Sequence, residues 1–432
     1  MINPEVKANL KSYLSDKEIK VLEKVYKRKE YEDYFFRTKK DLKWFYPFKI
    51  LCYFSPEKAP RPIPAETDGV FAIPNWNVLP YLERVSEQVN IPENEGYIDD
   101  LLNIIREVTQ YHVSHDKCLD NYRTWWYFAK ILLNLPNNRI NPDIVELVSV
   151  WLDSKFYISL QGADIAEKLL PKFLDSDEPE DWKKAEKIVE IITDIRWIPL
   201  PEKEAEVFRK KEEPKTLLDA YWLLESFKVN ASKVGEKCSE KVILTLADRL
   251  KEIIGRGRDK NDYTYIWFKS LFSNVERTGQ KADATLIIIL RDILKEKAIK
   301  DREKTMVVLN QFRSDAYPYP IFRRMVLFAI GIEWERYKKL FWDIVERGDC
   351  FDDPNYRSEL YMILKNNISR FTIEEKEKIK SIIEQGPLRY LSEEDREKDI
   401  ANWKQEWYSA VKTDSYFALL YEEQRNITQV QE

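Results

Sequence analysis

From residue 97 onward, apolar residues recur at three- and four-residue spacing through one segment after another, each closed by a short polar break that often holds Pro or Asn. That period belongs to the α-helix, in which residues three and four apart share a face. It predicts helices near 97–111, 121–134, 142–153, 163–175, 179–194, 215–228, 238–254 and 262–273. The series continues near 281–296, 301–313, 318–331, 334–347, 355–367, 373–384, 393–411 and 414–425. Glycine is scarce, 10 in 432 residues, about a third of the usual ~7%, which weighs against folds built on many tight hairpins or Gly-rich phosphate loops. Ser15 with Glu18, and Thr372 with Glu375, have capping-box spacing, in which each side chain satisfies an amide the helix start leaves free. Asn141 before Pro142 offers another N-cap, with proline where its missing N–H costs least. Val21, Leu22, Val25 and Tyr26 form one apolar stripe behind the first cap.

Short links between successive helices favour antiparallel neighbours, and helix pairs in series each cover a face the next cannot bury alone. The pairs starting near 121 and 142, and then near 163 and 179, are offset by roughly 40 residues. In this respect the chain resembles the HEAT and armadillo helical-repeat architectures over most of residues 97–425. The resemblance implies an all-α fold, an irregular right-handed α-solenoid of antiparallel helix pairs. It also implies a non-enzymatic scaffold or adaptor that binds a protein partner, of the kind that serves as a subunit or sensor arm of bacterial defence complexes. The expected segments are a basic, aromatic helical region at 1–54, a proline-rich belt with a following helix at 55–96, the repeat array at 97–390 and a C-terminal helical pair at 391–432.

The belt is where helix cannot form. Pro56, Pro60, Pro62, Pro64, Pro74 and Pro80 fall between Ser55 and Pro80, and each removes an amide donor from any regular helix or central strand. Phe54, Phe71, Trp76 and Tyr81 are too many aromatics for a free linker, so the segment is expected to pack along the helices, with room for one short strand at 70–73. Phe71, Trp76 and Tyr81, with Tyr317 and Tyr319 of the run Tyr317–Arg324, are the candidate partner-binding residues, because aromatic side chains dominate binding hot spots. Most of the 13 tryptophans fall in predicted helices and are expected to fill inter-helix space.

Charge is nearly balanced, with 70 Lys+Arg against 75 Asp+Glu and a net charge of −5, which removes a polybasic nucleic-acid protein as the default. Residues 1–62 depart from the balance with 15 Lys+Arg and 9 Asp+Glu, a net +6 that leaves −11 for the remainder. There Arg37, Lys39, Lys40, Lys43 and Lys49 interleave with Phe35, Phe36, Trp44, Phe45 and Tyr46. Such a mixture can hold phosphates while stacking bases, so a nucleic-acid-binding module is one alternative reading. No apolar stretch approaches the ~20 residues of a membrane span. The N-terminus lacks a signal-peptide core, and Cys52, Cys118, Cys238 and Cys350 form no Cys-x-x-Cys pair. A cytoplasmic protein that contacts no membrane is expected.

Chemistry-bearing motifs are few. The two histidines lie in Tyr111-His-Val-Ser-His-Asp-Lys-Cys118, where a continuing helix would place His112, His115 and Asp116 on one face, a permitted spacing for a metal. A helix terminus satisfied by hydrogen bonds is the simpler expectation. The His-Asp pair resembles the HD phosphohydrolase signature, but the further histidines that family needs are missing. Arg106 and His112 have the spacing of the Arg-x4-6-His motif of HEPN ribonucleases, and that resemblance implies a metal-independent ribonuclease using these two residues, a second alternative. Six residues along a continuous helix place the two on different faces. The run Ile254–Lys260 has two close glycines but neither a Walker ending nor a preceding strand, and reads as a basic loop. No cofactor is expected.

Overall fold

The computed structural model describes residues 2–156, 159–208, 211–257, 261–273, 281–346, 350–387 and 396–431. The protein is mostly helical, and the all-α class stands. Two compact units divide the chain, Met1–Arg196 with Lys215–Asn230, and Trp197–Pro214 with Ala231–Glu432.

The first unit opens with α1 (Pro4–Leu10), α2 (Asp16–Lys27), α3 (Glu32–Thr38) and α4 (Phe45–Ile50). Ser15 caps α2 in a complete capping box with Glu18. Leu22 and Val25 of the expected stripe are buried, but Val21 and Tyr26 are exposed, because α2 is covered over a narrower arc than four residues need. Phe35, Phe36, Trp44, Phe45 and Phe48 all sink into one core and meet mostly edge to face, the geometry that ring quadrupoles prefer.

The proline belt follows. Strand β1 (Ile63–Pro64) pairs antiparallel with β2 (Phe71–Ala72), Ile63 opposite Ala72. Gly69, at φ 77°, turns the chain between them, and the Ala65 amide donates to the Val70 carbonyl at 2.8 Å. The expected strand is thus one half of a hairpin. Asn121 holds the belt down, its Nδ2 donating to the Pro74 carbonyl at 2.8 Å while its Oδ1 accepts the Arg123 amide at the next helix start. Pro80 sits in the first turn of α5 (Leu79–Ser86), where it breaks nothing.

Helices α6 (Gly96–Ser114), α7 (Tyr122–Asn134), α8 (Pro142–Glu146), α9 (Val148–Leu152), α10 (Ser159–Asp164), α11 (Leu170–Leu174) and α12 (Pro179–Ile192) complete most of this unit. The helix expected at 142–153 breaks at Leu147, and Asn141 occupies the N-cap without a side-chain cap bond. Between α10 and α11 the chain widens into a π-turn, Ile165–Leu169. Pro171 has no amide to give the carbonyl four residues back, which accounts for the widening. After α12, β3 (Ile195–Pro199), α13 (Glu202–Phe208) and β4 (Glu212–Thr216) occupy the stretch left between the helices expected at 179–194 and 215–228, β4 running into the start of the second. Leu217 and Leu218 bend outside any helix, their amides donating to the Asp194 and Ile192 carbonyls, so α14 (Ala220–Lys237) begins later than expected.

The second unit contains α15 (Glu240–Gly255), α16 (Thr264–Trp267), α17 (Ala282–Lys300), α18 (Arg302–Phe312), α19 (Pro320–Ile332) and α20 (Trp334–Val345). It closes with α21 (Arg357–Asn367), α22 (Ile373–Gln385), α23 (Arg396–Val411) and α24 (Ser415–Gln431). Helix α15 packs on α17, α17 on α19, α19 on α21 and α21 on α23; α18 lies against α15, α17 and α19, and α24 against α23. Gly235 lets the end of α14 press on α17, since a Cβ there would stand 2.7 Å from the Ile293 carbonyl oxygen.

One device recurs in both units. A helix leaves its last carbonyls without partners and its C-terminus partly negative, and here a later cation answers both needs. Arg84 donates to Phe36 and Lys39 at the end of α3, and Lys172 to Leu133 and Leu135 at the end of α7. Arg196 reaches Leu152 at the end of α9, Lys297 reaches Cys238 after α14, and Arg336 reaches Ala298 and Ile299 at the end of α17. Burial pulls the Lys172 and Lys297 ammonium groups below the usual lysine range.

Candidate interaction surface

The helix expected at 262–273 is a single turn, α16, followed by irregular backbone. Its backbone is bonded elsewhere. Asp262 is buried, its Oδ1 accepting the Thr264 amide at 2.8 Å and its Oδ2 the Ile321 amide at 2.6 Å, so one carboxylate starts both α16 and α19. Arg324, on the apolar helix α19, donates from Nη2 to the Phe268 carbonyl at 2.6 Å and from Nη1 to Thr264 Oγ1 at 3.4 Å. Glu359, on α21, accepts from Arg324 at 2.9 and 3.0 Å and takes the Leu271 amide at 2.9 Å. Both charged side chains have no solvent exposure. Phe268 and Leu271 are buried, and the Phe272 ring packs on Phe328 at 5.1 Å.

Fixed from beneath, the segment presents Tyr263, Ile266 and Trp267 to solvent, at 45%, 58% and 37% exposure. The other twelve tryptophans are buried or half-buried. A backbone tied down by these hydrogen bonds that shows a tryptophan and an isoleucine outward has the make-up of an interface anchor, because residues held in place lose less freedom on docking. The periodicity could not reveal it. The signal in the sequence was an arginine inside the apolar run of α19, which needs a buried partner somewhere in the chain.

The aromatic residues expected to bind a partner are placed differently. Trp76 and Tyr81 are buried in the first unit, where the Tyr81 hydroxyl donates to the Asp41 carbonyl at 3.0 Å. Tyr317 is buried in the second and donates to Asp248 Oδ1 at 3.0 Å. These three side chains hold the fold and leave no surface to dock on. Tyr319 is half-buried, its hydroxyl against Gly255. Phe71 alone among the five stays exposed, on β2, with its ring 5.4 Å from that of Phe156.

The histidine motif is a helix terminus. Helix α6 ends at Ser114, and Asp116 and Lys117 take left-handed backbone, φ 51° and 55°, so the helix that would align the three ligands stops short. His112 is buried, accepts the Leu119 amide through Nδ1 at 3.1 Å and lies edge-on to Trp125; burial lowers its pKa. His115 is outside, stacked on Tyr111 at 3.8 Å. Among the described residues no group of three His, Cys, Asp or Glu side chains gathers as a metal would require. Arg106 pairs with Asp143 at 2.9 Å and with Asn103, and is not brought together with His112.

In the basic segment Arg37 pairs with Asp33, Lys40 is exposed, and Lys43 pairs with Glu18 at 2.6 Å. That pair and the Ser15 cap pull the Glu18 carboxyl down to about 2. Lys39 lies over the Phe35 and Trp44 rings at 4.9 and 4.8 Å. The aromatics expected to stack bases, Phe35, Phe36, Trp44 and Phe45, are core residues, and Tyr46 is half-buried. In the run Ile254–Lys260, Arg258, Asp259 and Lys260 lie outside the described residues. Among the described residues no helix is long and apolar enough to cross a membrane. No protein-family model matches the chain, and no curated protein or solved structure is significantly similar to it.

Proposed function

We propose that this protein is a non-enzymatic α-helical scaffold that docks a protein partner on the segment from Asp262 to Phe272. The observation that carries this reading is the display of Tyr263, Ile266 and Trp267 from a backbone fixed by the buried Arg324–Glu359 pair. An apolar side chain left in water costs solubility, and a partner that covers it recovers the burial. The proposed framework is a HEAT- or armadillo-like right-handed solenoid of antiparallel helix pairs. Support comes from the relay of α15, α17, α19, α21 and α23, in which each helix packs on its successor. The C-terminal cation caps add to it, since each ties a helix end to an element roughly 40 to 60 residues later, near the length of one such repeat.

Site-specific photo-crosslinking in the native cells tests the docking. A photoreactive residue at position 266 is expected to give one discrete protein adduct, and the same probe at exposed Leu419 none. No adduct from position 266, or the same adduct pattern from both positions, overturns the reading.

A further inference from the structure

Helices α2 and α3 and the turn between them line an open cleft of about 690 Å³ in the first unit. Lys24, Lys27, Arg28 and Lys39 line it together with Tyr31 and Tyr34, over a floor of Val25 and Phe35; no carboxylate lines it. The nearby acids lie outside the lining. Glu30 stands 4.0 Å from Arg28, and Asp33 is taken by Arg37.

The cations are arranged in two ways. Arg28 donates to the Tyr31 hydroxyl at 3.1 Å, and the Lys39 ammonium rests over two core rings, so both are held in place. Lys24 and Lys27 are exposed and have no salt bridge among the described residues; Lys27 senses Glu23 only at longer range. Both stand in the last turn of α2, where a cation offsets the helix dipole. The dipole explains two of the four cations and neither tyrosine. Tyr34 is 70% exposed and Tyr31 45%, although a ring left in water gains nothing for the fold.

We propose that this cleft binds single-stranded nucleic acid, with Lys24, Lys27, Arg28 and Lys39 meeting phosphates and Tyr31 and Tyr34 stacking on bases. Stacking needs bases free of a duplex, which selects a single strand. An acidic peptide would use the four cations and leave the exposed Tyr34 ring without a role. The residues differ from those the sequence pointed to: of Arg37, Lys39, Lys40 and Lys43, only Lys39 lines the cleft.

Fluorescence anisotropy of the full chain with labelled 20-mers of oligo(dT) and oligo(U) tests the proposal. Four neutralised phosphates predict a slope of log K on log salt of about −2.8, or an affinity loss of about fifty-fold between 50 and 200 mM salt. Substituting Lys24→Ala with Lys27→Ala is expected to halve that slope. Tyr34→Ala is expected to weaken binding about tenfold while Tyr34→Phe retains it, since the ring stacks. Binding of either oligonucleotide on these terms supports the site, and the stronger of the two identifies the sugar it prefers. No binding at 50 mM salt, equal binding of a duplex, indifference to Tyr34→Ala, or binding of a polyglutamate peptide in place of the oligonucleotides overturns it.

Discussion

The guanidinium of Arg324 and the carboxylate of Glu359 meet with no solvent exposure and share between them the Thr264 hydroxyl, the Phe268 carbonyl and the Leu271 amide. Burial pushes the Glu359 carboxyl up, and the Arg324 guanidinium and Leu271 amide oppose it. Removing one partner leaves a buried charge uncompensated, at a cost of about 3–5 kcal/mol. Arg324→Met is therefore expected to lower the thermal transition of the second unit sharply in calorimetry. Adding Glu359→Gln to that variant restores part of the loss, because the unpaired charge is gone while the Phe268 carbonyl stays orphaned.

His112 is buried and holds the Leu119 amide through Nδ1, and burial sets its pKa below the ordinary 6.5. As pH falls through the ordinary value the unfolded chain takes a proton that the folded chain refuses, so stability declines with falling pH in that window. Urea midpoints should drop between about pH 7.5 and 5.5, above the carboxylate range. In His112→Asn, whose amide oxygen can still accept from Leu119, that slope should flatten. An unchanged slope would mean that His112 does not carry the dependence.

The buried ammonium of Lys297 donates to the Cys238 carbonyl beside the close approach of Gly235 to Ile293. Lys297→Met keeps the packing and orphans the carbonyl, a loss of about 1–3 kcal/mol. Gly235→Val is expected to be at least as damaging, since the Ile293 carbonyl is backbone and cannot swing away. Thermal melts of the two variants check both expectations.

At the other end of the chain, Ser15→Ala removes one half of the α2 capping box and should cost about 1 kcal/mol. Glu18 is half-buried and its Lys43 partner is exposed to solvent, which screens the pair and keeps its own contribution small. That contribution is present above the usual carboxylate range and fades as pH falls from about 4.5 toward 2. Hydrogen exchange of the first-turn amides of α2 reads the loss locally.

The helices were legible because a 3.6-residue period survives wherever one face is buried. Gly96–Ser114 and Trp334–Val345 lie within a few residues of the expected spans, and both capping boxes formed. The pattern failed where the backbone found other partners. Thr264 to Leu271 are apolar enough for a helix, but Arg324 and Glu359, some 55 to 90 residues away, take their hydrogen-bonding groups. Ile195–Pro199 and Glu212–Thr216 pair with each other across a gap that no local window spans. Candidate aromatics such as Trp76 and Tyr81 could be named from the sequence, but whether a ring faces core or solvent depends on the neighbours that fold over it. Arg106 and His112 shared a spacing and nothing else, one tied to Asp143 and the other beneath Trp125.

Ile266 and Trp267 are the proposed anchors of a protein partner. The direct measurement is quantitative purification of the tagged full-length protein from its native cells, comparing the wild type with Ile266→Asp and Trp267→Ala. Ile266 is 58% exposed, so Ile266→Asp should leave the melting temperature nearly unchanged, whereas Trp267→Ala also gives up the covered part of its ring and should lower it modestly. The account predicts a stoichiometric protein partner with the wild type and at least a tenfold loss of that partner with each variant. Equal recovery of the partner with all three proteins would contradict it.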